Sequence, residues 1–216
     1  TDNPPVAWYR QVKQLNEQVE DTAQLFLGLR LQCAQCHHHP FEKWSQHDYY
    51  SLAAFFSRVG RAAGTRPGEE VIFHKPGEAK TKNIKTDKAV LPAGLGVAPA
   101  TIRTVVDPRL ELARWLTNDE NPFFAKSVVN RYWKHFFGRG IVDPEDDMRE
   151  TNPPTHPELL DWLARDFIDS GWDLRHLLKK MVLSATYRQK SQFTPAAREL
   201  DPENLLLSRA PAYRLP

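Results

Sequence analysis

The chain has 216 residues, of which 41% are hydrophobic and 26% are charged. This balance is typical of a folded globular protein, and the length is sufficient for one large domain or two small ones with a hydrophobic core. A formal net charge of only +2 gives no electrostatic case for nucleic-acid binding, and no apolar run reaches the roughly 18 residues that a membrane span requires.

The first 60 residues have the pattern of helices. Between Val19 and Cys36, the residues Phe26, Leu29, Cys33 and Cys36 are spaced as one face of a helix. This spacing predicts a continuous helix that runs into the two cysteines, which are the only cysteines of the chain.

A second helix is predicted to begin after Ser45. The Ser45 side chain and Asp48, three residues later, are suited to cap its first turn. The buried face of this helix is expected to consist of Tyr49, Leu52, Ala53 and Phe56. Gly60 ends the pattern.

Residues 61–105 differ from both flanking segments. They contain scattered Gly and Pro, eight Lys or Arg against four Asp or Glu, and the strand-like run EEVIFH at residues 69–74. We interpret this segment as a basic, loop-rich connector with room for one short β-hairpin.

Helices return after this connector, with clear start and stop residues. The fold class is therefore predicted as mostly α, divided into residues 1–60, the connector 61–105, and a second helical domain at 106–216 that we expect to be truncated. The predicted helices begin at Asp107–Pro108, Asn121–Pro122, Thr155 with Glu158, Asp173 and Asp201–Pro202, and the second and third end at Gly138 and Gly171.

The motif with the clearest chemistry is C-x-x-C-H, formed by Cys33, Cys36 and His37. Two thiols at this spacing can add to the two vinyl groups of haem, and the adjacent imidazole can then bind the iron. The spacing favours covalent haem c, with Cys33 and Cys36 as attachment residues and His37 as the proximal ligand.

Three alternatives remain open for the same residues. Zinc could be bound by both cysteines with His37 or His39, although structural zinc sites usually draw on two separated ligand pairs. A redox dithiol would normally follow a strand at a helix N-terminus, which is not the pattern here. The third alternative is a pair of inert cysteines in the core.

A haem iron at His37 raises the question of the distal ligand. The sequence offers Met148, in a proline-rich loop, or His74, at the end of the predicted strand. A thioether at this position would raise the reduction potential relative to a second imidazole. His39 is too close to His37 along the chain to reach the opposite face of a haem, and we expect a supporting or surface role for it.

Several long phrases resemble a known group of proteins. Residues 26–56, FLGLRLQCAQCHHHPFEKWSQHDYYSLAAFF, resemble the end of a domain of unknown function numbered 1549. The phrases LARWLTNDENPFFAKSVVNRYWKHFFGRGIV, PPTHPELLDWLARDF and SGWDLRHLLKKMVLSATYRQKS resemble the start of a second one, numbered 1553. Cytochrome-c-like proteins of planctomycetes combine these two domains, and the resemblance covers nearly the whole chain.

The resemblance implies an exported, extracytoplasmic haem carrier, and it transfers only the haem motif at Cys33, Cys36 and His37. It supplies no catalytic residues, and the first residues show no signal peptide. We therefore expect a periplasmic electron-transfer protein with a redox partner protein, rather than an enzyme. The motifs G-x-S-x-G, the P-loop and H-E-x-x-H are absent. A zinc-binding or purely structural module of an exported carbohydrate-processing system is the first alternative, and a peroxidase-like haem enzyme with an open sixth position is the second.

Overall fold

The computed structural model describes residues 4–211 of the chain. Its contacts divide the chain into two compact units. The first unit contains the residues up to Gln24 together with Arg30–Asn118, and the second contains Leu25–Leu29 together with the residues from Asp119 onward. Most regular structure within 4–211 is helical, which confirms the predicted fold class at that level. No helix in this range is long and apolar enough to cross a membrane.

Among the described residues, the first unit contains four α-helices and two small antiparallel sheets. In one sheet, β1 pairs with β2 so that Val59 lies opposite His74, and in the other β3 pairs with β4. The Phe73 ring covers Gly60, where a Cβ atom would lie 2.6 Å from the ring, so a larger residue would displace the ring. The elements are α1 (Pro4–Gln11), α2 (Leu15–Thr22), α3 (Gln46–Ala54), β1 (Val59–Ala63), β2 (Glu70–His74), β3 (Thr81–Lys82), β4 (Ala89–Val90) and α4 (Pro108–Leu116).

Helix α3 begins and packs as the sequence predicts. The Asp48 amide donates to Ser45 Oγ at 3.2 Å, and the Ser45 amide donates to the Asp48 carboxylate at 2.8 Å. This reciprocal capping box satisfies two amides that the first helical turn leaves without partners. The predicted apolar face is buried, with Tyr49, Leu52, Ala53 and Phe56 all in the core. The start of α4 is also confirmed, since Asp107 caps it and Pro108 occupies its first turn.

The second unit is built from α5 (Phe124–Phe137), α6 (Pro157–Asp169), α7 (Leu174–Leu183) and α8 (Pro195–Leu200). Gly138 ends α5, and Asp173 caps α7 by accepting from the His176 amide, both as predicted. The predicted start at Asn121–Pro122 is two residues early, because α5 begins at Phe124 with Phe123 as its N-cap residue. The Asn121 side chain accepts from the amides of Phe123 and Phe124 just before the helix. The core joins α5, α6 and α7 and includes Val129, Trp133, Phe137, Leu160, Leu163, Phe167, Leu177 and Met181.

The predicted continuous helix from Val19 to Cys36 is wrong. Helix α2 ends at Thr22, a π-helical turn follows at Ala23–Leu27, and a separate 3-10 turn occupies Gln32–Gln35. The chain leaves the helix at Gly28, whose φ of +68° is in the left-handed region. There the Gly28 carbonyl accepts from the Met148 amide at 2.8 Å, and a Cβ atom would lie 3.0 Å from the Met148 sulfur.

Two other predicted helix starts in the second unit are wrong. The Thr155 hydroxyl donates to the Ile141 carbonyl at 3.1 Å instead of capping a helix, and α6 follows His156 without a side-chain cap. Asp201 does not begin a helix, because its carboxylate accepts from the amides of Leu205 and Leu206 and closes a turn. In both cases the polar side chain has a different partner from the one that its sequence pattern indicates.

Candidate functional site

Cys33 lies in the short 3-10 turn and Cys36 directly follows it as the C-cap residue, and both are free thiols exposed to solvent. The amides of Cys36 and His37 donate to the Cys33 carbonyl at 3.4 and 3.3 Å. A 3-10 helix has three residues per turn, so side chains three positions apart lie one above the other. The two cysteines are therefore about one 3-10 turn apart, and His37 follows directly after them.

The His37 ring has one nitrogen engaged and one available. Its Nδ1 lies 2.6 Å from the His38 carbonyl oxygen and donates to it, and no hydrogen bond to Nε2 is present in residues 4–211. Histidines that bind metals usually donate their other ring N–H to a carbonyl or carboxylate, which sets the tautomer and the ring orientation. In His37 the bond from Nδ1 sets the tautomer in the same way and leaves the Nε2 lone pair available to a ligand.

His39 has both ring nitrogens engaged. Its Nε2 lies 3.1 Å from the Arg30 carbonyl oxygen and donates to it, while Nδ1 accepts from the Phe41 amide at 3.3 Å. A single neutral tautomer satisfies both bonds. His39 therefore holds its own loop, and it would have to break a hydrogen bond to serve as a metal ligand.

The cysteine turn is anchored to α3 through one carbonyl group. The Gln35 carbonyl accepts from Gln46 Nε2 at 2.9 Å and from Tyr50 Oη at 3.3 Å. Gln46 and Tyr50 are four residues apart on α3, and both are buried. The i, i+4 spacing of these polar side chains was the signal available in the sequence for this anchor.

A second buried tyrosine lies next to this anchor. Tyr49 is 1% exposed, contacts the Tyr50 ring edge-on and donates from Oη to the Glu20 carboxylate at 2.8 Å. Burial and the neighbouring Glu20 carboxylate raise the pKa of Tyr49 far above its usual range. Burial and the nearby Cys36 also raise the pKa of Tyr50.

We expect Tyr49→Phe to lower the free energy of unfolding by about 2 kcal/mol at neutral pH, because a buried bond to a charged carboxylate is lost. The raised pKa means that the folded chain keeps the Tyr49 proton longer than the unfolded chain does. The contribution is therefore complete below pH ~10, the ordinary tyrosine value, and declines as pH rises above it. Urea unfolding at pH 7 and pH 10.5 should show the difference between wild type and variant shrinking at the higher pH.

Tyr187→Phe is the matched control, because that ring is 39% exposed and no hydrogen bond from its hydroxyl occurs in the described structure. It should change the free energy of unfolding by less than about 0.5 kcal/mol at either pH. An equal loss at both pH values in Tyr49→Phe would contradict the role of Tyr49 ionisation.

The two candidate distal ligands occupy different settings. His74 ends β2, and its Nε2 is buried without a hydrogen-bond partner in the described chain. Met148 packs against the core of the second unit, with its sulfur over Gly28. Neither setting selects one of them, and the distal ligand stays a prediction.

Metal-ligating side chains do not cluster tightly anywhere in residues 4–211. No group of three or more His, Cys, Asp or Glu side chains in this range is close enough together to hold one metal ion. Cys33, Cys36 and His37 are thus neighbours on one turn without converging on a single point.

Two family models match the chain. The family described as Protein of unknown function (DUF1553) matches residues 108–216, and the family described as Protein of unknown function (DUF1549) matches residues 4–61. These are the two families that the sequence phrases indicate, so that prediction is confirmed. No curated protein and no solved structure matches the chain.

Proposed function

The chain belongs to the family described as Protein of unknown function (DUF1553) and carries a DUF1549 region before it, and we propose that it is an exported c-type haem protein that transfers electrons. The observation that carries this proposal is the exposed cysteine turn, with two free thiols three residues apart and His37 Nε2 available.

The arrangement of the donors favours haem over zinc. Zinc requires its ligands within about 2.0–2.3 Å of one ion, and the described side chains do not converge in that way. Haem requires thiols that reach two vinyl groups at the porphyrin edge and an imidazole that reaches the iron at its centre, so the three groups must stay apart.

Each of the three residues would have a distinct role. The S–H groups of Cys33 and Cys36 would each add across one vinyl double bond, which forms two thioethers without an oxidant or a leaving group. His37 would bind the iron through Nε2, oriented by its bond to the His38 carbonyl. Met148 or His74 would supply the sixth ligand. When bound, the haem supplies an iron that gains and loses one electron.

Exposure of the turn supports electron transfer to a partner protein. A redox centre at the surface can exchange electrons with a docked protein without a substrate channel. Covalent attachment would be compatible with export, because two exposed neighbouring thiols would otherwise oxidise in an extracytoplasmic compartment and thioether bonds prevent this.

The test is to express the chain with a c-type maturation system and to record the intact mass under denaturing conditions together with the visible spectrum. We expect a mass gain of one haem and a Soret band. An unmodified mass with one bound zinc per chain would overturn the proposal in favour of the zinc alternative. A six-coordinate, low-spin spectrum that peroxide does not change is expected; rapid reaction with peroxide would instead favour the haem enzyme.

A further inference from the structure

An open groove lies between α6 and α7 in the second unit, and no residue of the cysteine turn lines it. Its volume is about 570 Å³, within the range of roughly 300–1,000 Å³ typical of small-molecule sites. Its wall includes three side chains of the core, Trp133, Leu163 and Met181. The groove therefore reaches apolar surface that is continuous with the core.

The rim of this groove exposes large apolar side chains. Trp162 is 54% exposed and Leu183 is 57% exposed. An apolar ligand that covered either side chain would bind more favourably, because burial of apolar surface contributes about 25 cal/mol per Å² to the free energy of binding. Exposed apolar surface that lines a concave site is a feature of ligand grooves.

The charged groups at the rim leave an excess of positive charge. Lys180 and His176 share the Asp166 carboxylate, with His176 Nε2 at 2.9 Å from Asp166 Oδ2. Lys180 Nζ also lies 4.6 Å from the centre of the Trp162 ring, over its face. Lys179 lines the groove and is exposed, and no carboxylate pairs with it in the described part of the chain.

We propose that this groove binds an amphiphilic monoanion, a molecule with an apolar chain or ring that carries one carboxylate or comparable group. The apolar part lies on Trp162 and Leu183, and the anionic group is next to Lys179. The concave shape favours a single free amphiphile over a flat membrane surface. This site is independent of the proposed haem, because it uses no residue of the cysteine turn.

The proposal is tested by isothermal titration calorimetry on the full chain with decanoate, decyltrimethylammonium and butyrate. Decanoate should bind once per chain, the cation of equal chain length at least about tenfold more weakly, and butyrate without detectable heat, because it lacks the apolar chain. Equal binding of the cation, or no binding of decanoate, would overturn the proposal.

Variants separate the two parts of the site. Lys179→Gln should weaken decanoate binding about threefold, as expected for the loss of an exposed charge pair. Leu183→Ser should weaken it about tenfold, because an apolar contact is lost. Arg175→Gln removes the same charge from the same helix outside the groove and should leave the affinity unchanged. The site assignment fails if Lys179→Gln and Arg175→Gln lower the decanoate affinity equally. It also fails if the chain binds decanoate in anionic lipid vesicles but does not bind free decanoate.

Discussion

Alanine at both Cys33 and Cys36 is expected to leave the purified chain at its polypeptide mass, with no Soret band after denaturation. The two thioethers are the only covalent links that C-x-x-C-H can form to haem, and an exposed turn cannot retain a non-covalent haem when the chain unfolds. The expected effect is therefore complete. Intact-mass spectrometry after co-expression with the maturation system measures it directly.

His37→Ala should affect the iron and not the covalent bonds. We expect chains that carry haem through Cys33 and Cys36 but show an altered visible spectrum, because the proximal nitrogen is gone. His38→Ala is an unusually close control, since His38 contributes its backbone carbonyl to the His37 ring, and alanine keeps that carbonyl. A haem mass gain in the double cysteine variant, or the same spectral change in His38→Ala as in His37→Ala, would count against the site.

Asn130→Ala is expected to have the largest effect on stability, a loss of about 3 kcal/mol in the free energy of unfolding. Asn130 is 0% exposed, its Nδ2 donates to the Val142 carbonyl at 2.8 Å, and its Oδ1 accepts from the Val142 amide at 2.9 Å. Alanine would leave both polar groups of Val142 buried without a partner, and it would add a cavity beside α5.

Urea unfolding at neutral pH measures this loss. Asn16→Ala is the control, because Asn16 lies in α2 and makes no side-chain hydrogen bond within residues 4–211. It should change stability by less than about 0.5 kcal/mol, since alanine is also the better helix former. A loss below about 1 kcal/mol in Asn130→Ala would show that water or a shift of the loop satisfies Val142.

The helix starts that could be predicted are those whose partners lie within one turn. Ser45 with Asp48, Asp107 with Pro108, and Asp173 each act on amides two or three residues away. Such bonds depend on local chain geometry alone, so the residue types and their spacing are sufficient.

The features that could not be predicted depend on partners far along the chain. The break at Gly28 is paired with Met148, 120 positions away, and the Thr155 hydroxyl is directed to Ile141 instead of to α6. The helical spacing of apolar residues carries no information about these distant partners. The prediction from spacing therefore extended the first helix as far as Cys36.

By itself, the sequence determined the mostly helical class, the family and the identity of the candidate site, because Cys33, Cys36 and His37 are adjacent and need no fold to bring them together. Only the tertiary structure decided that the thiols are exposed instead of lining a helix face, and that Gln46 and Tyr50 hold their turn. It also revealed the groove between α6 and α7. Exposure, anchoring and concave surfaces arise from packing between segments distant in sequence, and no local pattern encodes them.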